Sequence, residues 1–133
     1  MLDGRDWSKV EGASPESLDL LASVSPTGIP IRLIELLRVT DGGEGPLPVQ
    51  PLWFCLYPAA EIAQIERDGT FKEFFPNLFV VGGNSGGEAV AIDLREPTSA
   101  PVVSFDMTNI DLKESVRHIA NDFEAFVDLI GKE

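Results

Sequence analysis

Apolar residues recur along this chain first at helical spacing, then in alternation, and at its end at helical spacing again. Ser14-Pro15-Glu16 has the composition of a helix start: a serine that can accept from free N–H groups, a proline at the first helical position, and an acid that complements the dipole. A helix is predicted from there to about Ser23. Ser25-Pro26-Thr27-Gly28-Ile29-Pro30 breaks it. Ile31, Leu33, Ile34 and Leu37 then recur three to four apart, as in a second amphipathic helix that Asp41-Gly42-Gly43 ends. Residues 52–57 are short, apolar and aromatic between prolines, which suits a strand held by stiff connections. Ala59, Ile62 and Ile65 form a narrow helical stripe that Asp68-Gly69 closes, with glycine where a left-handed cap is usual.

Residues 78–81 and 89–94 flank Gly82-Gly83-Asn84-Ser85-Gly86-Gly87 and predict an antiparallel hairpin with a wide glycine-rich loop. Val90, Ile92 and Leu94 alternate with Ala89, Ala91 and Asp93, so one set is expected inward and the other outward. After the turn Arg95-Glu96-Pro97-Thr98, residues 102–105 make a third strand. Val116, Ile119, Ala120, Phe123, Phe126, Val127 and Ile130 trace one helical face over four turns, opened by a capping-box pair at Asp111 and Glu114 and closed by Gly131. Helices, then strands, then a helix, without regular alternation, predict an α+β fold. Its expected form is an antiparallel β-meander packed against flanking helices, with a long C-terminal helix. Residues 14–131 form one domain on this reading, behind an N-terminal segment, 1–13, for which flexibility is expected.

A chain of 133 residues is long enough to bury roughly two thirds of its unfolded surface. With 44% hydrophobic and 24% charged residues, it is far from the composition of disordered chains. No apolar stretch approaches the ~20 residues of a membrane helix. The start, Met1-Leu2-Asp3-Gly4-Arg5, lacks the basic and apolar regions of a secretory signal, and a single cysteine, Cys55, excludes an internal disulfide. A cytoplasmic protein is expected. Ten Lys and Arg against 22 Asp and Glu give a net charge of −12, which repels nucleic acid and anionic membranes alike. The excess is spread along the chain, with 8 acids and 4 bases up to Ala60 and 14 and 6 beyond, so no acidic tail accounts for it. It serves solubility, a basic partner, or both.

The glycine runs Gly42-Gly43-Glu44-Gly45 and 82–87 lack the lysine and hydroxyl of a nucleotide loop and adjoin acids, so turn geometry is the better account of them. His118, placed opposite Phe123 and Ile130 on the last helix, reads as a surface residue with no histidine or cysteine nearby in sequence. Cys55, between Phe54 and Leu56, reads as a small buried hydrophobe and not as half of a Cys-His pair. Asp93 and Asp106 are expected to be solvated strand-end acids, and no metal or cofactor site is indicated. With so many acids, a carboxylate pair of the glycosidase type cannot be singled out.

The order of these features resembles the SUKH superfamily, with its SMI/KNR-type cell-wall assembly regulators of fungi and its bacterial immunity proteins. The residues that carry the resemblance begin with the apolar helix running into Asp41-Gly42-Gly43-Glu44-Gly45 and continue through Trp53-Phe54-Cys55-Leu56 and Glu61-Ile62. Phe79-Val80-Val81-Gly82, Asn84-Ser85-Gly86-Gly87-Glu88, Asp93 and the stretch from Ile119 through Phe126 follow, so the likeness covers about residues 29–131. Asp41 stands where the family usually has asparagine. The resemblance implies a recognition domain without catalytic activity. It implies most concretely an immunity protein that neutralises a toxin, often a nuclease, and as the alternative an intracellular regulatory or scaffold protein. A nuclease surface is basic, so the acidic charge and the resemblance point to the same partner, a basic protein. If recognition uses the loop ends of the sheet, the residues that meet it are Asp41, Glu44, Trp53, Asn84, Ser85, Glu88 and Asp106. Trp53 is ambiguous, because a strand tryptophan beside Phe54 serves a core equally well.

Overall fold

The computed structural model describes residues 2–95, 98–108 and 115–133. Helix α1 spans Pro15–Val24, and the Ser14 hydroxyl accepts from the Ser17 N–H at 3.1 Å, as the Ser-Pro-Glu start predicts. Helix α2, Ile31–Val39, buries Leu33, Leu36 and Leu37. Ile31, expected on that stripe, is 71% exposed because it occupies the first helical position, beyond the reach of the body. Strands β1, Gly43–Pro46, and β2, Trp53–Leu56, precede helix α3, Ala59–Asp68, which ends on Gly69 in the left-handed conformation. Then come β3, Leu78–Gly83, β4, Glu88–Asp93, β5, Val102–Asp106, and β6, Arg117–Ala120, with helix α4, Phe123–Leu129, last. The six strands lie in chain order in one antiparallel sheet, so the α+β meander expected from the sequence is the observed fold.

Both faces of the sheet are covered. Phe54, Leu56, Val90, Ile92 and Val102 meet the helices in the main core, where Phe54 lies edge-on to Phe126 of α4, with ring centroids 4.9 Å apart at 83°. The opposite face carries a second core of Val80, Ala89, Ala91, Val103 and Phe105 beneath Phe71 and Phe75 of the α3–β3 connection. Phe75 stacks on Phe105 at 4.1 Å, and Phe71 meets it edge-on at 5.5 Å. Ala89 and Ala91 are therefore buried, against the expectation of an outward face. The alternation is real, but its second phase faces an aromatic cover contributed from outside the sheet. Asp93, expected to be solvated, is buried too, and Arg95 grips its carboxylate through Nε at 2.9 Å and Nη2 at 2.8 Å.

The long C-terminal helix is replaced by a strand and a short helix. Asp122, extended at φ −155°, accepts the Ala125 N–H at 2.7 Å, which makes it the cap and starts α4 at Phe123. Upstream, Arg117, His118 and Ala120 pair with β5. Asp111 and Glu114, and the Glu96-Pro97 part of the turn, lie outside the described residues.

Residues ahead of Ser14 are tied to the body. The Ser8 N–H donates to the Glu44 carbonyl at 2.8 Å, extending the sheet beyond β1. Arg5 donates to the carbonyls of Val127 and Ile130 at the end of α4. A Cβ at Gly43 would lie 2.5 Å from the Ser8 carbonyl, and one at Gly45 would lie 2.4 Å from that of Asp6, so this arm approaches β1 only because both positions are glycine. Among the described residues, no helix is long and apolar enough to cross a membrane.

Candidate functional site

Strand β2 turns Phe54 and Leu56 toward the helices, so Trp53 and Cys55 project from the other face. Trp53 is 37% exposed, and its indole Nε1 donates to Glu44 Oε1 at 3.2 Å. The pairing Pro46↔Trp53 and Glu44↔Cys55 makes Trp53 and Glu44 diagonal neighbours across two strands. The aromatic place beside Phe54 belongs instead to Trp7, whose ring lies 6.0 Å from that of Phe54. That settles the ambiguity left by the sequence. Cys55 is half-buried, not a core residue, because its parity is opposite to that of its neighbours. Its Sγ lies 2.9 Å from Ser85 Oγ in a hydrogen bond.

The strip continues past the strand. The Tyr57 N–H donates to the Val81 carbonyl at 3.0 Å, which keeps Tyr57 in phase with Trp53 and Cys55. Opposite Cys55 stands Gly83, where a Cβ would come within 3.0 Å of the Tyr57 hydroxyl oxygen. Burial pushes the Tyr57 phenol up, and the nearby Glu61 and Cys55 push it the same way, so the hydroxyl stays neutral.

The glycine-rich loop is organised by Asn84, whose Oδ1 accepts from the N–H groups of Gly86 at 2.8 Å and Glu88 at 3.0 Å. Ser85, at its tip, takes φ +64°. Glu88 lies opposite Asp106 in the β4–β5 ladder and is engaged by Arg117 Nη1 at 3.3 Å and by Ser104 Oγ at 3.5 Å. Asp106 Oδ1 accepts from the N–H and hydroxyl of Thr108. Asp41 stands apart: its Oδ1 accepts the Ala59 N–H at 2.7 Å and so caps α3, whose own cap position is a proline. Glu44, Trp53 and Ser85 therefore gather around Cys55, whereas Asn84, Glu88 and Asp106 cluster at the β4–β5 end with Arg117. Sequence reasoning passed over Tyr57, Glu61 and Arg117. Counting β2 parity from Phe54 would have found Tyr57.

A cleft of about 550 Å³ toward the β6 edge of the same sheet face is lined by Asp93, Arg95, His118 and Asn121. His118, on edge strand β6 and not on a helix, bonds Asn121 at 3.1 Å and lies four strands from Cys55. Burial raises the Asp93 carboxyl, but the hydrogen bonds and charge of Arg95 outweigh it and hold the group below the usual carboxylate range. A carboxylate held that way is a poor proton carrier near neutral pH. Among the described residues, no three His, Cys, Asp or Glu side chains converge as metal ligands.

No curated protein matches the chain closely enough to count as a relative. The family model described as the SMI1 / KNR4 family (SUKH-1) matches residues 12–129, a span that runs from ahead of α1 through the whole sheet to the end of α4. On that match, the chain belongs to the SMI1 / KNR4 family (SUKH-1).

Proposed function

We propose that this chain works by binding another protein and catalyses no reaction, and that it is a cytoplasmic immunity protein that neutralises a basic toxin domain of the nuclease type. The supporting observation is Glu44: its exposed carboxylate pairs with no cation among the described residues, and it borders the exposed Trp53 on a chain of net charge −12. An uncompensated acid beside an exposed aromatic suits a basic, phosphate-binding surface, whose approach it accelerates through long-range attraction. Glu88 serves less directly, since Arg117 already engages it.

The test has two parts. A toxin domain encoded beside this chain's gene is expressed with and without the chain, and survival only in its presence is the expected result. Stopped-flow association of the two purified proteins should then slow steeply between about 50 and about 500 mM salt as the attraction is screened. Glu44→Lys should slow it about tenfold with little change in dissociation. Failure to form a complex or to protect cells would refute the reading, and association indifferent to salt would refute its electrostatic part.

A further inference from the structure

We infer that the Trp53–Glu44 pair is the seat of one arginine side chain of the partner, whose guanidinium stacks on the indole face while pairing with the Glu44 carboxylate. The assignment rests on the protein-binding reading and adds the chemistry of the contact. The Trp53 Nε1–Glu44 Oε1 bond at 3.2 Å fixes the ring by its edge and occupies one carboxylate oxygen, which leaves the other oxygen for a ligand beside an indole that is 37% exposed. A planar cation with several N–H donors matches both. Guanidinium is weakly hydrated and stacks on aromatic rings, whereas ammonium holds its water and presents a point charge.

The surroundings favour such a guest. Among the described residues no Lys, Arg or His pairs with Glu44, so no described cation competes there. Next to the pair, the floor is low, with Cys55 and then Gly83 in the adjoining register positions. The β1–β2 turn adds exposed Leu52 and Val49, apolar surface of the kind that an arginine's methylene stem covers.

The experiment uses the two indole N–H resonances of the ¹⁵N-labelled protein. Trp7 Nε1 is buried and supplies the internal control. Titration with a capped tetra-arginine peptide should shift the Trp53 resonance saturably and leave that of Trp7 in place. A tetra-lysine peptide of equal charge should bind roughly two- to fivefold more weakly. Glu44→Gln should weaken the arginine peptide by a similar factor with the amide spectrum otherwise unchanged. A silent Trp53 resonance, equal movement of both indoles, or equal affinity for the two peptides would overturn the assignment. In the toxin complex, undiminished affinity of Trp53→Ala and Glu44→Gln would also overturn it while leaving the binding role intact, so the two readings fail separately.

Discussion

Gly82→Ala would drive a methyl group into the backbone of the neighbouring strand. A Cβ at this position lies 2.1 Å from the Cys55 carbonyl oxygen and 2.7 Å from Phe54 Cε1. The carbonyl cannot swing aside alone, because Leu56↔Gly82 and Cys55↔Gly83 hold β2 against β3 there. Relief requires either that β2 retreats, at about 0.5–1.5 kcal/mol for each ladder bond weakened, or that Phe54 leaves its place between Trp7 and Phe126, an overpacking cost of about 1–3 kcal/mol. Together these predict a loss of about 2–4 kcal/mol and a Tm lower by about 10 °C for a domain of this size. Gly86→Ala, four residues along the same glycine-rich run, is the control. Its Cβ meets only Asn84 side-chain atoms, the nearest at 3.5 Å, and its backbone is not left-handed, so a change under about 0.5 kcal/mol is expected. Urea melts followed by far-UV circular dichroism, with m unchanged, would measure both. Equal stability of the two variants, or a Gly82→Ala protein within about 0.5 kcal/mol of wild type, would refute the close approach of β2 and β3.

Phe123→Asp should cost about 3–5 kcal/mol in the same assay, since it empties a buried aromatic site and leaves an unpaired charge in it. His118→Ala, on the exposed outer strand, should change stability by less than about 0.5 kcal/mol. Asp41→Ala should cost about 1 kcal/mol by freeing the Ala59 N–H, whereas Asp41→Asn keeps an accepting oxygen and should cost far less, as thermal melts of the pair would show. Asp93 has a lowered folded-state pKa, so the stability it contributes is complete above about pH 5 and is lost as pH falls below the unfolded value of about 3.9 through the folded one. Arg95→Ala leaves burial to raise the group instead. The sign of its contribution then reverses, so the variant should be less stable than wild type at pH 7 and its deficit should shrink as urea melts move from pH 7 toward 3; a deficit that does not change with pH would contradict the pairing.

Features carried by local chemistry were legible in the sequence. The Ser14-Pro15 start of α1, the Gly69 end of α3 and the β3–β4 hairpin depend on hydrogen bonds and backbone angles within a few residues, which side-chain identity reports directly. The charge surplus was legible too, since composition alone carries it. Tertiary structure alone decided the rest. β1 is a strand of glycine, glutamate and proline with no apolar rhythm, and it exists because β2 and the N-terminal arm supply its partners. Residues 117–120 fit a helical stripe, yet they pair with β5 because Asp122 caps a helix that starts only at Phe123. Ala89 and Ala91 are buried by rings from outside the sheet. Trp7 took the place beside Phe54 and left Trp53 to meet solvent with Glu44, while Cys55 turned toward Ser85. In each case periodicity along the chain tells how a segment can divide its surface, but which side is covered depends on contacts between residues far apart in sequence.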